Sequence, residues 1–273
     1  MTASMIRRLR CPVCGSACKT EAQGRTLSCL GARRHAFDFS KSGYLNLCLS
    51  LKSGDTKEAV RARSAFLEKG YYQALSDEIN RLLSEYGVKS VIDAGCGEGY
   101  YTNRMAKDKD VLGLDLSKEG VHHGARIAKG LGLSSAFVVA SLFEMPVTEA
   151  SFDAVVNVFA PCAETEFLRV LAPNGVLILV GAGERHLFGL KEVLYENPYV
   201  NPGRSDLPAT MLLCEKKRIH DWITVEGNED VMSLFSMTPY YWRTSEADRK
   251  KLETVERLTT EIDFDIFVYR KEA

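Results

Sequence analysis

The chain has 273 residues, 45% hydrophobic and 26% charged, with a formal net charge of -1. That content closes the core of one large domain plus a small appendage and excludes an intrinsically disordered chain. The longest apolar runs, such as Val176 to Val180, are too short to cross a bilayer, and Cys11-Pro-Val-Cys14 stands where a signal peptide needs its apolar centre. A cytoplasmic protein with no membrane partner is expected.

The eight cysteines are spread unevenly over a chain too large to need disulfide staples, so reduced thiols, some of them binding metal, are the expectation. Residues 1–41 carry eight basic side chains (Arg7, Arg8, Arg10, Lys19, Arg25, Arg33, Arg34, Lys41) against Glu21 and Asp38, a balance of +6 that leaves -7 for the remainder. A basic end on an acidic body fits a module that meets a polyanion; the alternative is a solvated basic face without a partner. Within this module Cys11 and Cys14 form a C-x2-C pair, and Cys29 with His35 lies across a loop containing Gly24. A Cys3His set suits zinc, and four protein ligands leave no open position, so the metal should be structural and supply much of the folding free energy of so small a unit. Cys18 is a rival ligand. Phe37, Phe39, Tyr44, Leu45 and Leu47 are expected to make a small core, with base stacking as the other use of the aromatics.

Lys52 to Thr56 reads as a linker. A helix from Lys57 is expected to pack through Ala59, Ala62, Ala65 and Phe66 and to stop at Gly70. A second, about Tyr72 to Glu85, places Leu75, Ile79, Leu82 and Leu83 at the spacing of one buried face before Gly87 ends it. The resulting division is 1–50 for a zinc-binding module suited to a polyanion, 51–87 for the linker and N-terminal helices, and 88–273 for a cofactor-binding core.

Ser90 to Asp93 is a short apolar strand that feeds Gly95-Cys-Gly97-Glu-Gly99, and Tyr100 to Ala106 starts a helix. Alternate glycines let the backbone turn sharply against a ligand. The spacing G-x-G-x-G is shorter than the dinucleotide fingerprint G-x-G-x-x-G, which favours S-adenosylmethionine, a cofactor with no pyrophosphate. Asp115 ends the next strand, Val111 to Asp115, 20 residues beyond Gly95, where it can accept bonds from ribose hydroxyls. A third strand, Ala136 to Val139, brings Ser141 and Leu142 to the adenine side. Ala154 to Val158 and Val176 to Val180 supply a fourth and fifth, and Trp222 to Val225 and Phe264 to Tyr269 two more. Apolar strands alternating with helices imply a mostly parallel sheet covered on both faces, an α/β fold. A carboxylate such as Asp93 at the end of a buried strand needs a partner. Asn157-Val-Phe-Ala-Pro161-Cys162 follows the fourth strand, where an open sheet presents reacting groups. A nucleophilic role for Cys162 lacks a nearby base, and the turn is read instead as shaping the pocket.

With these residues in view, the chain closely resembles the 23S ribosomal RNA guanine-N1 methyltransferases of the RlmA type, including the tylosin-resistance relatives. The resemblance is carried by Cys11-Pro-Val-Cys14, Arg34-His-Ala-Phe-Asp38, Lys41-Ser-Gly-Tyr-Leu-Asn-Leu47, Arg61-Ala-Arg63, Asp93 to Thr102, Phe159-Ala-Pro-Cys162, Arg185-His186-Leu187 and Met237-Thr-Pro-Tyr-Tyr-Trp-Arg243. It implies a class I (Rossmann-like) S-adenosylmethionine-dependent methyltransferase fold with a small N-terminal zinc-binding module. It also implies zinc on Cys11, Cys14, Cys29 and His35, and cofactor contacts at Tyr72, Gly97, Glu98 and His186. Cys29 and His35 are separated by five residues where the family often has three. A homodimer acting on the helix 35 hairpin loop of the large-subunit rRNA is the implied assembly and partner.

The chemistry so implied is transfer of the sulfonium methyl to guanine N1. Asn157, which borders both cofactor and acceptor, would hold the guanine edge with the backbone of Ala160 to Cys162, while Phe159, Tyr240 or Trp242 would stack on an extruded base. Arg61, Arg63, Arg185 and Arg243 would grip phosphates. Two rivals stay open: the same cofactor with another RNA, a protein or a small molecule as acceptor, and a non-catalytic RNA-binding protein that retains a relic cofactor fold.

Overall fold

The computed structural model describes residues 1–21, 24–49 and 55–272; Lys52 to Gly54 of the expected linker lie outside the described residues. The chain begins with a short helix α1 (Ala3–Arg7), capped by Thr2, whose hydroxyl accepts from Met5 N–H. Three short strands, β1 (Cys18–Thr20), β2 (Thr26–Cys29) and β3 (Ala36–Asp38), form an antiparallel sheet. Strand β4 (Leu45–Asn46) then leaves this small sheet and joins the edge of a large one.

The expected small core is not separate. Met5, Ile6, Leu9, Leu27, Leu45 and Leu47 share one buried cluster with Ile92, Leu114 and Phe152 of the large domain. Phe37 and Phe39 are only half-buried at its rim. Leu9 bridges to Val147, and the Arg8 guanidinium lies 4.8 Å from the Phe152 ring centroid.

Two helices follow. α2 (Lys57–Glu68), capped by Thr56, buries Val60, Ser64, Phe66 and Leu67, so Phe66 packs as expected but the alanines do not lead the face: Ala59 and Ala62 are half-buried and Ala65 is exposed. A 3.6-residue period does not by itself select one face, and the buried set follows from packing of α2 against α8 and α5. α3 (Gln73–Glu85) packs as read, with Leu75, Ile79, Leu82 and Leu83 buried, each side chain contributing roughly 2 kcal/mol when removed from water.

The large sheet is built from β5 (Ser90–Ala94), β6 (Asp110–Asp115), β7 (Ala136–Val139), β8 (Phe152–Val158), β9 (Leu171–Ala182), β10 (Leu212–Glu226) and β11 (Arg257–Arg270), in the order β10-β11-β9-β8-β5-β6-β7-β4. From β4 to β9 the strands are parallel; β11 runs antiparallel to β9, and β10 to β11. The chain order reverses between β5 and β8, which opens a crevice at the carboxyl ends of those two strands. Helices α4 (Tyr100–Met105), α5 (Lys118–Leu131), α6 (Glu164–Val170) and α7 (Phe188–Leu194) follow β5, β6, β8 and β9, whereas β7 runs into β8 through a loop. α8 (Asn228–Ser236), a 3-10 turn (Pro239–Trp242) and α9 (Glu246–Lys250) connect β10 to β11. Among the described residues no helix is long and apolar enough to cross a membrane.

Candidate functional site

The crevice is floored by the turn after β5. Gly95, Gly97 and Gly99 all have left-handed φ, between +52° and +87°. Space is short there as well: a Cβ on Gly95 would stand 2.5 Å from the Ala160 Cβ, and one on Gly99 would stand 2.8 Å from the Phe137 ring. Glycine is therefore demanded by conformation and by contact.

Carboxylates surround this turn. Asp93 is buried and accepts from the Thr102 hydroxyl at 2.5 Å; burial, aided by Asp115 and Glu98, pushes its carboxyl up to about 7 despite that bond. Asp115, at the end of β6, accepts from Gly97 N–H at 2.9 Å and Ser117 N–H at 2.7 Å, which locks the turn to the start of α5. A carboxylate has about four acceptor positions, so these bonds leave room for the hydroxyls expected there. Glu98 is buried, which raises its carboxyl above the ordinary range, and it is paired with Arg63 of α2. Arg63 also binds Asp55 at 2.6 Å, and its guanidinium lies over Gly97. Arg63 is thus committed to the cofactor turn and not to phosphate gripping. Cys96 is buried with its thiol pushed well up, first by burial.

The opposite wall comes from α3 and the loop after β9. His186 is buried, and burial pushes its imidazole down to about 3, so it is neutral. Nδ1 accepts from Asp263 N–H at 3.2 Å, which places the proton on Nε2, where it is donated to the Tyr72 hydroxyl at 3.2 Å. Tyr101 adds a buried hydroxyl without a hydrogen-bond partner among the described residues, in the neighbourhood of Tyr72, Glu98 and Asp93. An orphaned hydroxyl beside a glycine cradle and a row of acceptors fits a polar nucleoside ligand.

The loop after β8 closes the site, and its support is invisible in the sequence. Asn157 is fully buried; Nδ2 donates to Ala94 O (2.9 Å) and Pro161 O (3.3 Å), while Oδ1 accepts from Arg204 at 2.9 Å. Arg204 also donates to Val180 O (2.9 Å), Ala160 O (2.7 Å) and Asp206 (2.7 Å), and Asp206 accepts from Cys162 N–H at 2.7 Å. Burial works against the charge on Asp206, but these bonds outweigh it and hold the carboxyl below its usual range. One guanidinium therefore ties together the ends of β8 and β9 and the Ala160–Cys162 turn, and the Asn157 amide is spent on that architecture. Burial lifts the Cys162 thiol to about 11, which leaves it protonated near neutrality. Phe159, at φ +54°, stands 46% exposed over His186, with ring centroids 5.8 Å apart and nearly parallel planes.

Ser141 and Leu142 follow β7 at the same end of the sheet, with Leu142 Cδ1 3.8 Å from where a Gly95 Cβ would be. Tyr240 is buried and donates to Asn201 at 2.6 Å, whereas Trp242 is 79% exposed. Asn201 in turn accepts from the buried Lys191 at 2.7 Å and donates to the His186 carbonyl at 2.8 Å, linking the Thr-Pro-Tyr segment to the site. Burial pushes the Lys191 ammonium down to about 8. Arg185 is paired with Glu261 and lies over the Phe188 ring; Arg61 and Arg243 are exposed and form no ion pair among the described residues.

In the N-terminal module Cys11, Cys14, Cys29 and His35 converge, with all ligand atoms within 4.8 Å of one another. His35 Nδ1 is 3.5 Å from the Cys11 and Cys29 sulfurs, and Cys14 Sγ is 3.9 Å from Cys29 Sγ. A tetrahedral ion with metal–sulfur bonds of about 2.3 Å demands sulfurs about 3.8 Å apart, so the four donors fit zinc dimensions. The longer Cys29–His35 loop closes through Cys29 N–H to His35 O (2.9 Å) and His35 N–H to Cys29 Sγ (3.1 Å). The rival Cys18 stays outside the cluster; burial raises its thiol to about 12, while Ser16 holds Cys14 at about 6.

A family model described as a methyltransferase domain matches residues 91–175, the span from β5 through the turn and Asp115 into β9. The 23S rRNA (guanine(748)-N1)-methyltransferase of Streptomyces fradiae is 31% identical over 204 residues, covering 71% of this chain and 70% of that protein. The chain belongs to the 23S rRNA (guanine-N1)-methyltransferase family. YxjB of Bacillus subtilis, which bears a provisional name for that chemistry, is 29% identical over 279 residues, 96% of each chain. A similarly named Micromonospora griseorubida protein is 29% identical over 273 residues, covering 90% of this chain and 91% of its own. The crevice is thus that of an S-adenosylmethionine-dependent, methyltransferase-like α/β fold, accompanied by a Cys/His cluster able to hold a metal ion.

Proposed function

We propose that the protein transfers a methyl group from S-adenosylmethionine to N1 of a guanine in the helix 35 hairpin loop of 23S rRNA, with structural zinc in the N-terminal module. The reading is carried by the YxjB relationship, whose 96% coverage leaves neither the crevice nor the Cys/His module as a whole outside it.

The cofactor supplies an electrophilic methyl. In this proposal the Gly95–Gly99 turn and Asp115 hold the nucleoside, with Ser141 and Leu142 at the adenine. Glu98, Tyr72 and Tyr101 border the remainder, and the neutral His186 orients the Tyr72 hydroxyl. Asn157 and Pro161 act by giving the acceptor loop its shape, and the half-exposed Phe159 offers a face on which an extruded base stacks. Holding the acceptor nitrogen at attack distance from the methyl removes much of the entropic barrier. Guanine N1 gives up its proton in the reaction, and it passes to solvent, because the carboxylate bonded to this loop, Asp206, is held below its usual range by Arg204 and Cys162 N–H and is a weak proton acceptor.

Comparing 23S rRNA from cells with and without the gene by mass mapping should show one guanine losing its N1-methyl group. Purified protein should then methylate the corresponding hairpin transcript. Identical maps, with no transfer to the transcript, would refute the proposal.

A further inference from the structure

Another cavity lies between the small sheet and α5, with a volume of about 1130 Å³, and it shares Phe137 with the glycine turn. Phe39 and Leu133 present apolar surface in it, backed by the buried Ala125, Ala128 and Phe137, and its rim carries Arg25, Lys41 and Lys129 with the hydroxyls of Ser40, Ser42 and Ser135. One acid, Asp38, is present, already accepting from the Thr26 hydroxyl at 2.7 Å. The turn that forms one wall is pinned to α5 twice: Lys129 Nζ donates to Lys41 O at 3.1 Å, and the Ser42 hydroxyl meets His122 Nδ1 at 3.1 Å.

The basic rim continues along α5. Lys118, His122, Arg126 and Lys129 follow at spacings of four, four and three residues, which puts them on one exposed stripe. From Lys118 to Lys129 the stripe is about 16 Å long at about 1.5 Å per residue. Its Lys118 end abuts the cofactor turn, since a Cβ on Gly120 would stand 2.6 Å from Gly97 O; its Lys129 end lines the cavity. Elsewhere arginines such as Arg63, Arg169 and Arg185 are neutralised by carboxylates, but Arg25, Lys41, Lys118, Arg126 and Lys129 form no ion pair among the described residues. An unneutralised basic rim around apolar surface matches one chemistry: a nucleotide whose base is buried and whose phosphates stay at the edge.

We propose that this cavity is a second RNA-binding site, which takes an unstacked nucleotide flanking the methylated loop while the α5 stripe tracks the phosphates that lead to the crevice. It rests on the function proposed above. The base lies on the Phe39 side of the cavity, and Arg25, Lys41 and Lys129 meet the phosphates.

The test uses the full-length, zinc-loaded protein with the hairpin transcript, with and without its flanking single-stranded nucleotides. The triple variant Lys41→Gln, Arg126→Gln, Lys129→Gln should raise the KM for the flanked transcript at least tenfold and leave S-adenosylmethionine affinity unchanged. It should also lower the slope of log affinity against log salt by about 2, since each phosphate that is no longer neutralised removes roughly 0.7–0.9. Phe39→Leu, which keeps an apolar side chain at the rim, should weaken the flanked transcript and not the trimmed one. Wild-type slope and KM in both variants, with the wild type active, would overturn the second site alone. A wild type that binds the transcript but never methylates it would overturn the functional reading, and the binding arms would still judge the cavity.

Discussion

Replacing Arg204 by methionine tests whether the acceptor loop must be held to work. The substitution keeps an apolar stem but removes the donors to Val180 O, Ala160 O, Asn157 Oδ1 and Asp206. Hydrogen bonds from a charged donor contribute about 1.5–3 kcal/mol each. They are not additive, and the carboxylate of Asp206 is 44% exposed, so water recovers part of the loss. A net cost of about 3 kcal/mol is reasonable, which corresponds to roughly 150-fold at about 1.36 kcal/mol per decade. Because Arg204 touches neither the glycine turn nor Asp115, the loss should fall on kcat with hairpin RNA, while S-adenosylmethionine affinity by calorimetry stays within about threefold of wild type. Arg204→Lys, able to reach fewer of the acceptors, should recover part of the rate. If Arg204→Met lowers Tm by several degrees but leaves kcat within about threefold, the guanidinium is only scaffold and the loop-shaping argument is wrong.

Gly95→Ala combines a left-handed φ of +87° with a Cβ 2.5 Å from Ala160, so it should cost at least about 1–2 kcal/mol. Calorimetry should find cofactor affinity at least tenfold weaker. Removing metal with a chelator, or changing Cys29 to Ser, should abolish amide exchange protection across β1 to β3 while β5, β8 and β9 stay protected, because α1 and Leu9 belong to the large core. Loss of protection throughout the chain would contradict that division.

Stability should respond to pH in two opposed ways. Asp93 has its pKa raised by burial from 3.8 to about 7, so its contribution is fully present below pH 4 and is lost as pH rises to 7, by about 4 kcal/mol at most. For His186, depressed from 6.5 to about 3, the contribution is present above 6.5 and lost as pH falls toward 3. Unfolding curves of ligand-free Asp93→Asn and His186→Gln should each flatten one limb relative to wild type. Parallel curves for all three proteins would reject both assignments.

The parallel strands β5 to β8 were legible because continuous Val, Ile and Leu runs bounded by glycine admit few other readings. The Cys/His cluster was legible because C-x2-C spacing constrains geometry locally. β10 was not: its residues Leu212 to Glu226 are largely exposed and rich in charge, the pattern of an edge strand, and only Trp222 to Val225 were anticipated. What holds it is fourteen paired positions on β11, which local propensity does not encode.

Arg204 and Asp206 illustrate the same boundary. They sit in an irregular segment with no periodicity, 47 residues from Asn157 in the case of Arg204, and no local rule assigns them a partner. Arg63 and Glu98 are 35 residues apart, and Tyr72 and His186 are 114 apart. By itself the sequence determined which atoms can bind metal and where the backbone must turn on glycine, since both follow from side-chain chemistry and φ over a few residues. Tertiary structure alone decided which charges are neutralised, which aromatic faces stay open and which polar groups are spent on scaffolding, because those outcomes depend on distant segments arriving within about 3 Å of one another.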